Sequence, residues 1–135
     1  MSDLSPYINI SEHGSAIVVE FMASRITNIN EIRIIGDALS ELTTKRQPEL
    51  LILDLGKVNY LPSAMLGKLA AVRKAVRSYD GQLKLACLRD SVAQILQMTR
   101  LDRIFDIYES VDAALQQDLS KDHVLPFYSS SGSSG

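Results

Sequence analysis

The 135-residue sequence is poor in the residues that build covalent or metal-based scaffolds. It contains one cysteine, two histidines and no tryptophan, so an internal disulfide is impossible and no zinc-ligand spacing occurs. Its glycines form neither a dinucleotide fingerprint nor a phosphate-binding loop. The sequence therefore predicts no metal site and no cofactor. The single Cys87 lies in the apolar run 83–88, which predicts a buried, unreactive thiol.

Basic residues are not in excess, and long hydrophobic runs are missing. Fourteen Lys and Arg residues face sixteen Asp and Glu residues, giving a net charge of -2, which argues against a general nucleic-acid binder. No run approaches the roughly 18 apolar residues of a membrane span, and the first thirty residues lack the pattern of a signal peptide. We expect a cytoplasmic protein without membrane insertion. The sequence does not indicate an oligomeric state.

The overall balance, 46% hydrophobic and 22% charged, is typical of one domain with a single substantial core. We expect this domain to span residues 1–120. Residues 121–135 include a Ser/Gly-rich end that cannot bury apolar surface, which predicts a flexible tail or a vector-derived remnant.

The N-terminal third predicts a hairpin followed by a helix. Residues 7–10 and 16–21 are rich in β-formers and flank a turn that contains Gly14. Asn28 then precedes hydrophobic residues at helical spacing, so we expect it to cap a helix over about 29–44.

Strands and helices alternate in the remainder of the sequence. We expect a central strand at 49–55 that is covered on both faces, followed by a helix at 64–79. Two further strands are predicted at 83–88 and 105–109. Each is followed by a helix, the first capped by Asp90 and the second capped by Ser110 and reaching about Leu119. The helix at 64–79 carries an apolar stripe formed by Met65, Leu69, Val72, Val76 and Tyr79. A leading hairpin followed by β-α alternation predicts the α/β fold class, a mixed sheet with about four helices.

Residue constellations for catalysis are missing. His13 lies in a turn and His123 lies near the C-terminal tail, and neither has a nucleophile or a carboxylate at motif spacing. We therefore expect a binding protein and not an enzyme.

Asp54, at the end of the central strand, has two interpretations. It is placed like the phospho-acceptor of a response-regulator receiver, or it is a carboxylate that accepts hydrogen bonds from nearby backbone amides. A receiver also needs an acidic pair after its first strand and a lysine after its last, and it has one strand before its first helix. The sequence offers neither feature and predicts two leading strands.

Ser63 follows Pro62 at the start of the helix at 64–79. Its hydroxyl is placed to cap the helix. The same position also suits a phosphorylation switch, because a phosphate there would face the positive end of the helix dipole without disrupting the helix.

The outer face of this helix is predicted to expose Leu66, Ala70, Arg73 and Arg77. Between Lys57 and Arg89 there are seven basic residues and one acidic residue. This face is either a solvated charged surface or a docking surface for an acidic or mixed partner.

Residues 53–67, LDLGKVNYLPSAMLG, resemble a motif of the STAS domain in bacterial anti-sigma factor antagonists, approximately D-L-x-x-V-x-F-[ML]-D-S-S-G-L-G. The matching positions are Asp54, Leu55, Val58, Leu61, Ser63, Leu66 and Gly67, with Tyr60 in place of Phe. The resemblance covers about residues 6–119, including LDRIF at 101–105, which is similar to the family's L-x-x-[IVL]-F.

The resemblance implies a partner switch. The unphosphorylated antagonist binds an anti-sigma factor that is also a serine kinase of the histidine-kinase-like ATPase type, and phosphorylation of the serine ends the binding. Ser63 occupies the acceptor position, with Asp54, Tyr60 and Pro62 in supporting positions. Three residues depart from the pattern: Pro62 replaces Asp, Ala64 replaces the second Ser, and Met65 replaces Gly. Because of these departures, a constitutive STAS scaffold or a lipid-transport accessory subunit is the alternative function.

Overall fold

The computed structural model describes residues 6–117, and the predicted tail at 121–135 lies outside them. The strands are β1 (Ile8–His13), β2 (Ala16–Phe21), β3 (Leu50–Asp54), β4 (Gln82–Ala86) and β5 (Asp106–Tyr108). The helices are α1 (Ile29–Glu41), α2 (Ser63–Ser78), α3 (Asp90–Met98) and α4 (Val111–Gln117), with a π-helical turn at Leu42–Arg46 and a 3₁₀ turn at Leu101–Arg103. The predicted order of elements is confirmed.

The five strands form one mixed sheet in the order β1-β2-β3-β4-β5. β1 pairs with β2 antiparallel, whereas each of the other neighbouring pairs is parallel. A receiver is built on the order 2-1-3-4-5, so this topology rules out the receiver interpretation of Asp54. The predicted α/β class with a leading hairpin is confirmed.

The hairpin closes through a two-residue turn. His13 pairs with Ala16 across it, and Gly14 takes a φ of 66°, a left-handed conformation that glycine adopts without a steric penalty. The predicted position of Gly14 in this turn is confirmed.

β3 is covered on both faces, as its continuous apolar sequence predicts. Leu51 and Leu53 belong to the main core between the sheet and helices α1 to α3. Leu50 and Ile52 point to the opposite face, in a smaller cluster that includes Ala114 of α4. The sheet therefore holds two unequal apolar layers.

Two of the four predicted helix caps are confirmed. Asn28 Oδ1 accepts a hydrogen bond from the Asn30 amide at 2.7 Å, and Ser110 Oγ accepts one from the Ala113 amide at 3.0 Å. The prediction for Asp90 is wrong by one position, because Arg89 is the N-cap residue. Asp90 lies in the first turn instead, where its carboxylate suits the helix dipole.

The apolar stripe of α2 is buried at Met65, Leu69, Val72 and Val76, as predicted. The predicted exposure of Leu66 is wrong, since only 6% of this residue is accessible. Leu66 belongs to the main core cluster, which extends beyond the predicted stripe, and α2 also packs against α1. The two helices approach closely at the buried Gly36, where an added Cβ would lie 2.9 Å from Lys68 Cδ.

Lys84 of β4 is buried, although a lysine in a strand is usually solvated. Its Nζ donates a hydrogen bond to the Ala114 carbonyl at 2.9 Å and lies 4.7 Å from the centre of the Tyr108 ring. One of the seven basic residues between positions 57 and 89 is thus a core residue that contacts α4, so the basic surface is smaller than the sequence count indicates.

Candidate functional site

The candidate site lies at the carboxyl edge of the parallel strands, where open α/β sheets place their binding residues. The segments 22–28, 55–62 and 87–89 follow β2, β3 and β4 and therefore share this edge. Ser63 is the first residue of α2 and is exposed. The edge thus presents a serine hydroxyl at the start of a 16-residue helix.

Ser63 does not cap α2, which corrects the prediction from its position after Pro62. The N-cap residue is Pro62, in an extended conformation and without a side-chain cap. The carbonyl of Pro62 accepts the amides of Met65 and Leu66 at 2.9 and 3.1 Å. Because the helix begins one residue earlier than the capping rule predicts, no hydrogen bond inside the described part of the chain engages the Ser63 hydroxyl.

The segment before α2 is fixed first at its own start. Asp54 Oδ1 accepts the Gly56 amide at 2.9 Å, and the Leu55 amide donates to the Ala86 carbonyl at 3.0 Å. The structural interpretation of Asp54 is therefore confirmed. This carboxylate orients the turn that leads from β3 toward Ser63.

Neighbouring segments fix the rest of this loop. Arg89 Nε donates to the Gly56 carbonyl at 2.8 Å. Asn59 is held from both sides, since its carbonyl accepts Ser91 Oγ at 2.8 Å and its amide donates to the Ser24 carbonyl at 2.6 Å. Sequence reasoning missed Ser24, Arg89 and Ser91, because these contacts join segments that are distant in the sequence and that no local pattern connects.

Tyr60 is an exposed aromatic residue at this edge. It is 36% accessible, and the guanidinium carbon of Arg25 lies 5.1 Å from its ring centroid. Residues 25 and 60 also form a parallel backbone bridge. A cation over an aromatic face is a stabilising contact, and here it places an amphipathic pair three residues before Ser63.

The charge around the candidate site is mainly positive. Arg25, Lys57 and Arg89 are exposed on the three segments of this edge. Lys57 pairs with Glu20 at 3.4 Å, which leaves Arg25 and Arg89 without an ion pair among residues 6–117. Such a surface favours an acidic partner or a phosphoryl group.

Cys87 lies beside Asp54, and it is half-buried where the sequence predicts full burial. Burial raises the pKa of the thiol, and the neighbouring Asp54 carboxylate raises it further through its charge and a hydrogen bond. The thiol therefore stays protonated at neutral pH. This direction supports the predicted low reactivity, because the thiolate is the nucleophile.

We expect Asp54→Asn to lower the pKa of Cys87, since it removes the nearby negative charge that opposes thiolate formation. Alkylation by iodoacetamide should then reach half its maximal rate at a lower pH than in the wild type. Glu20→Gln is the matched control, because Glu20 raises the same pKa as the weakest contribution. An equal shift in both variants would contradict the assignment to Asp54.

The four residues predicted to form an outer face of α2 do not share one surface. Leu66 is buried and Ala70 is half-buried. Arg73 and Arg77 lie farther along the helix, where Arg73 Nε donates to the Ile104 carbonyl at 2.8 Å. The two arginines therefore belong to a different end of α2 from Ser63.

Within residues 6–117, no three His, Cys, Asp or Glu side chains lie together in a group suited to a metal ion. His13 is exposed, and its Nε2 lies 3.2 Å from Ser11 Oγ. Of the helices in this range, none combines the length and apolar character needed to cross a bilayer.

Comparisons with known proteins agree with this architecture. A Thermotoga neapolitana protein provisionally named as an anti-sigma factor antagonist is 27% identical over 100 residues, which cover 74% of this chain and 88% of that protein. The crystal structure of an anti-sigma factor antagonist from Mycobacterium paratuberculosis superimposes with a TM-score of 0.72 at 23% identity, covering 82% of this chain and 91% of the other.

The same fold occurs in the Bacillus cell fate determinant SpoIIAA, solved in its phosphorylated form. That structure has a TM-score of 0.66 at 10% identity, with 82% of this chain and 98% of the other covered. The family model of the STAS domain matches residues 7–114. These residues include all of the sheet and the α2 start described above, and the chain belongs to the STAS domain family.

Proposed function

We propose that this chain is a cytoplasmic anti-sigma factor antagonist that acts by partner switching and not by catalysis. In its unphosphorylated form it binds an anti-sigma factor that is also a serine kinase of the histidine-kinase-like ATPase type. Phosphorylation of Ser63 ends the binding and returns the anti-sigma factor to its sigma factor. Transcription is thereby regulated through protein contacts alone.

The observation that carries the proposal is the state of Ser63. Its hydroxyl is exposed at the N-terminus of α2 and is not used as a cap. A phosphate at this position would face the positive end of a helix dipole, which favours anions. Modification would therefore change the charge of the surface while the fold is preserved.

The surroundings of Ser63 support the same proposal. The preceding loop is fixed by contacts from Asp54, Arg89 and Ser91, so its shape does not depend on the serine. Arg25 and Arg89 supply positive charge that fits an acidic partner surface. The relatives named as anti-sigma factor antagonists supply the class of partner.

One observation favours a second candidate, a constitutive STAS module that serves as a scaffold or as a lipid-transport accessory subunit. The residue before Ser63 is Pro62, which brings no carboxylate to the position where the family motif has Asp. A serine kinase that recognises its substrate through this carboxylate would lack that contact with this chain. The constitutive module would bind its partner whether or not Ser63 carries a phosphate.

The test is capture of the partner from the source cell on the immobilised chain, followed by mass spectrometry. We expect an ATPase of the histidine-kinase-like type, and that ATPase with ATP should add one phosphate to the chain. Fragment masses should place the phosphate on Ser63, and Ser63→Ala should remain unmodified as the control. Recovery of a transporter subunit or a stress-complex scaffold, with no phosphate on Ser63 in growing or stressed cells, would establish the constitutive module instead.

A further inference from the structure

A polar groove of about 210 Å³ opens at the end of α2 that lies away from Ser63. It is formed where the last turns of α2 meet the start of β4 and the segment before β5. Its principal lining residues are Arg73, Arg77, Gln82, Leu83, Ile104 and Asp106. Gln82 and Asp106 begin their strands, so the groove lies at the amino edge of the sheet and is separate from the candidate site.

The groove holds two arginines that the described residues do not neutralise. Arg73 and Arg77 are four residues apart on α2, a spacing at which like charges destabilise a helix. Neither has a carboxylate oxygen within 4.0 Å in the range 6–117, whereas Arg33 and Arg46 each have one. Within this range the pair is thus positive charge without a close ion pair, beside a concave surface that Asp106 also lines.

One hydrogen bond to the segment before β5 orients the Arg73 guanidinium. Its Nε donates to the Ile104 carbonyl at 2.8 Å, which uses one of the five N–H groups of a guanidinium. Among residues 6–117 no hydrogen bond engages the remaining four, and a guanidinium presents them in the planar geometry that matches a carboxylate. Arg77 is exposed.

The rest of the lining indicates a peptide as the ligand. Ile104 is 39% accessible and gives the groove an apolar wall, and Leu83 is buried beneath it. An apolar wall contributes nothing to a bare anion but accommodates an aliphatic side chain. The Asp106 carboxylate would repel any anion placed directly against it, but it can accept a backbone N–H, which a peptide supplies beside its carboxylates and phosphate does not.

We propose that this groove binds an acidic peptide segment of a partner protein, with carboxylates on Arg73 and Arg77 and an apolar side chain against Ile104. The groove is a second binding surface on the chain. Binding of the peptide does not depend on whether Ser63 is phosphorylated. The proposal of this second surface can therefore be tested independently of the partner switch.

The test is a titration of the ¹⁵N-labelled full chain with an acetylated, amidated peptide of four Leu-Glu repeats, followed by NMR. We expect saturable shifts of the Arg73 Nε–H signal and of the Gln82 and Ile104 amides. Arg77→Gln should weaken binding about tenfold, since hydrogen bonds between charged groups are among the strong ones. Arg33→Gln, on the exposed side of α1, is the matched control and should bind as the wild type does.

Two further titrations decide the class of ligand. A peptide of Leu-Gln repeats should bind at least about tenfold more weakly, because it lacks the carboxylates. Inorganic phosphate should leave the groove signals unchanged at the concentrations that suffice for the acidic peptide. The proposal is overturned if phosphate gives equal shifts, if Arg77→Gln binds unchanged while its spectrum shows a folded chain, or if the shifts centre on Arg25 and Arg89.

Discussion

Ser63→Asp is expected to abolish capture of the anti-sigma factor while the melting temperature stays near that of the wild type. An aspartate at the first position of α2 suits the helix dipole, so the helix is retained. Its negative charge would lie in the proposed interface, where an unpaired charge is costly to desolvate. Binding to the partner recovered by capture, measured by calorimetry, and thermal unfolding together separate the two effects.

Two matched variants identify the cause of that loss. Ser63→Asn has nearly the shape of the aspartate without its charge and should keep the partner. Ser63→Ala should also keep it, and should change the free energy of unfolding by no more than about 0.5 kcal/mol because the hydroxyl does not cap the helix. If the asparagine variant fails as completely as the aspartate variant, shape and not charge controls the interface.

The other large effect is expected in the core of α2. Leu69→Ala and Leu66→Ala should each lower the free energy of unfolding by about 2–5 kcal/mol, the range for buried leucines, since the residues are 0% and 6% accessible. Chemical denaturation of each variant measures this change. Met98→Ala, at a helical residue that is 83% accessible, is the control and should stay within about 0.5 kcal/mol of the wild type.

Leu66 is the informative member of this set. If Leu66→Ala unfolds like the wild type and loses the anti-sigma factor, the residue lies on an outer face, as the helical spacing alone predicts. If it is destabilised like Leu69→Ala, its burial in the main core cluster accounts for the change.

The fold could be predicted because its determinants are local. The apolar run at 50–54 lacks the alternation of a half-solvated strand, and the stripe from Met65 to Val76 has helical period over several turns. The side chains of Asn28 and Ser110 cap helices by accepting backbone amides two and three residues later in the sequence. Each of these signals depends on residues that are close together in the sequence.

The errors in the prediction come from contacts between distant segments. Leu66 is buried in the main core cluster, whose members come from segments far apart in the sequence, and the buried Lys84 donates to a carbonyl of α4 thirty residues away. The helical period of apolar residues predicts one buried stripe, but it does not show how many neighbouring elements pack against the helix. The contacts of Arg89 and Ser91 with the loop before Ser63 are missed for the same reason.

The capping error at Ser63 has a different origin. Capping preferences rank serine far above a residue without a side-chain acceptor. Here the extended backbone of Pro62 ends at a carbonyl that already accepts two amides of the first turn, so the serine enters the helix. The consequence is favourable for the proposed function, because the hydroxyl is left available for modification.

The length of α2 determines whether a change of charge at Ser63 alters the electrostatic potential at the far end of the helix. At 1.5 Å per residue, Ser63 and Arg77 are separated by about 21 Å along the helix axis. Counterions in a cell screen electrostatic potentials over about 8 Å. The electrostatic potential of a new charge at one end of α2 is therefore almost fully screened at the other end. The helix therefore acts as an electrical spacer, and the two ends of the molecule can be controlled separately.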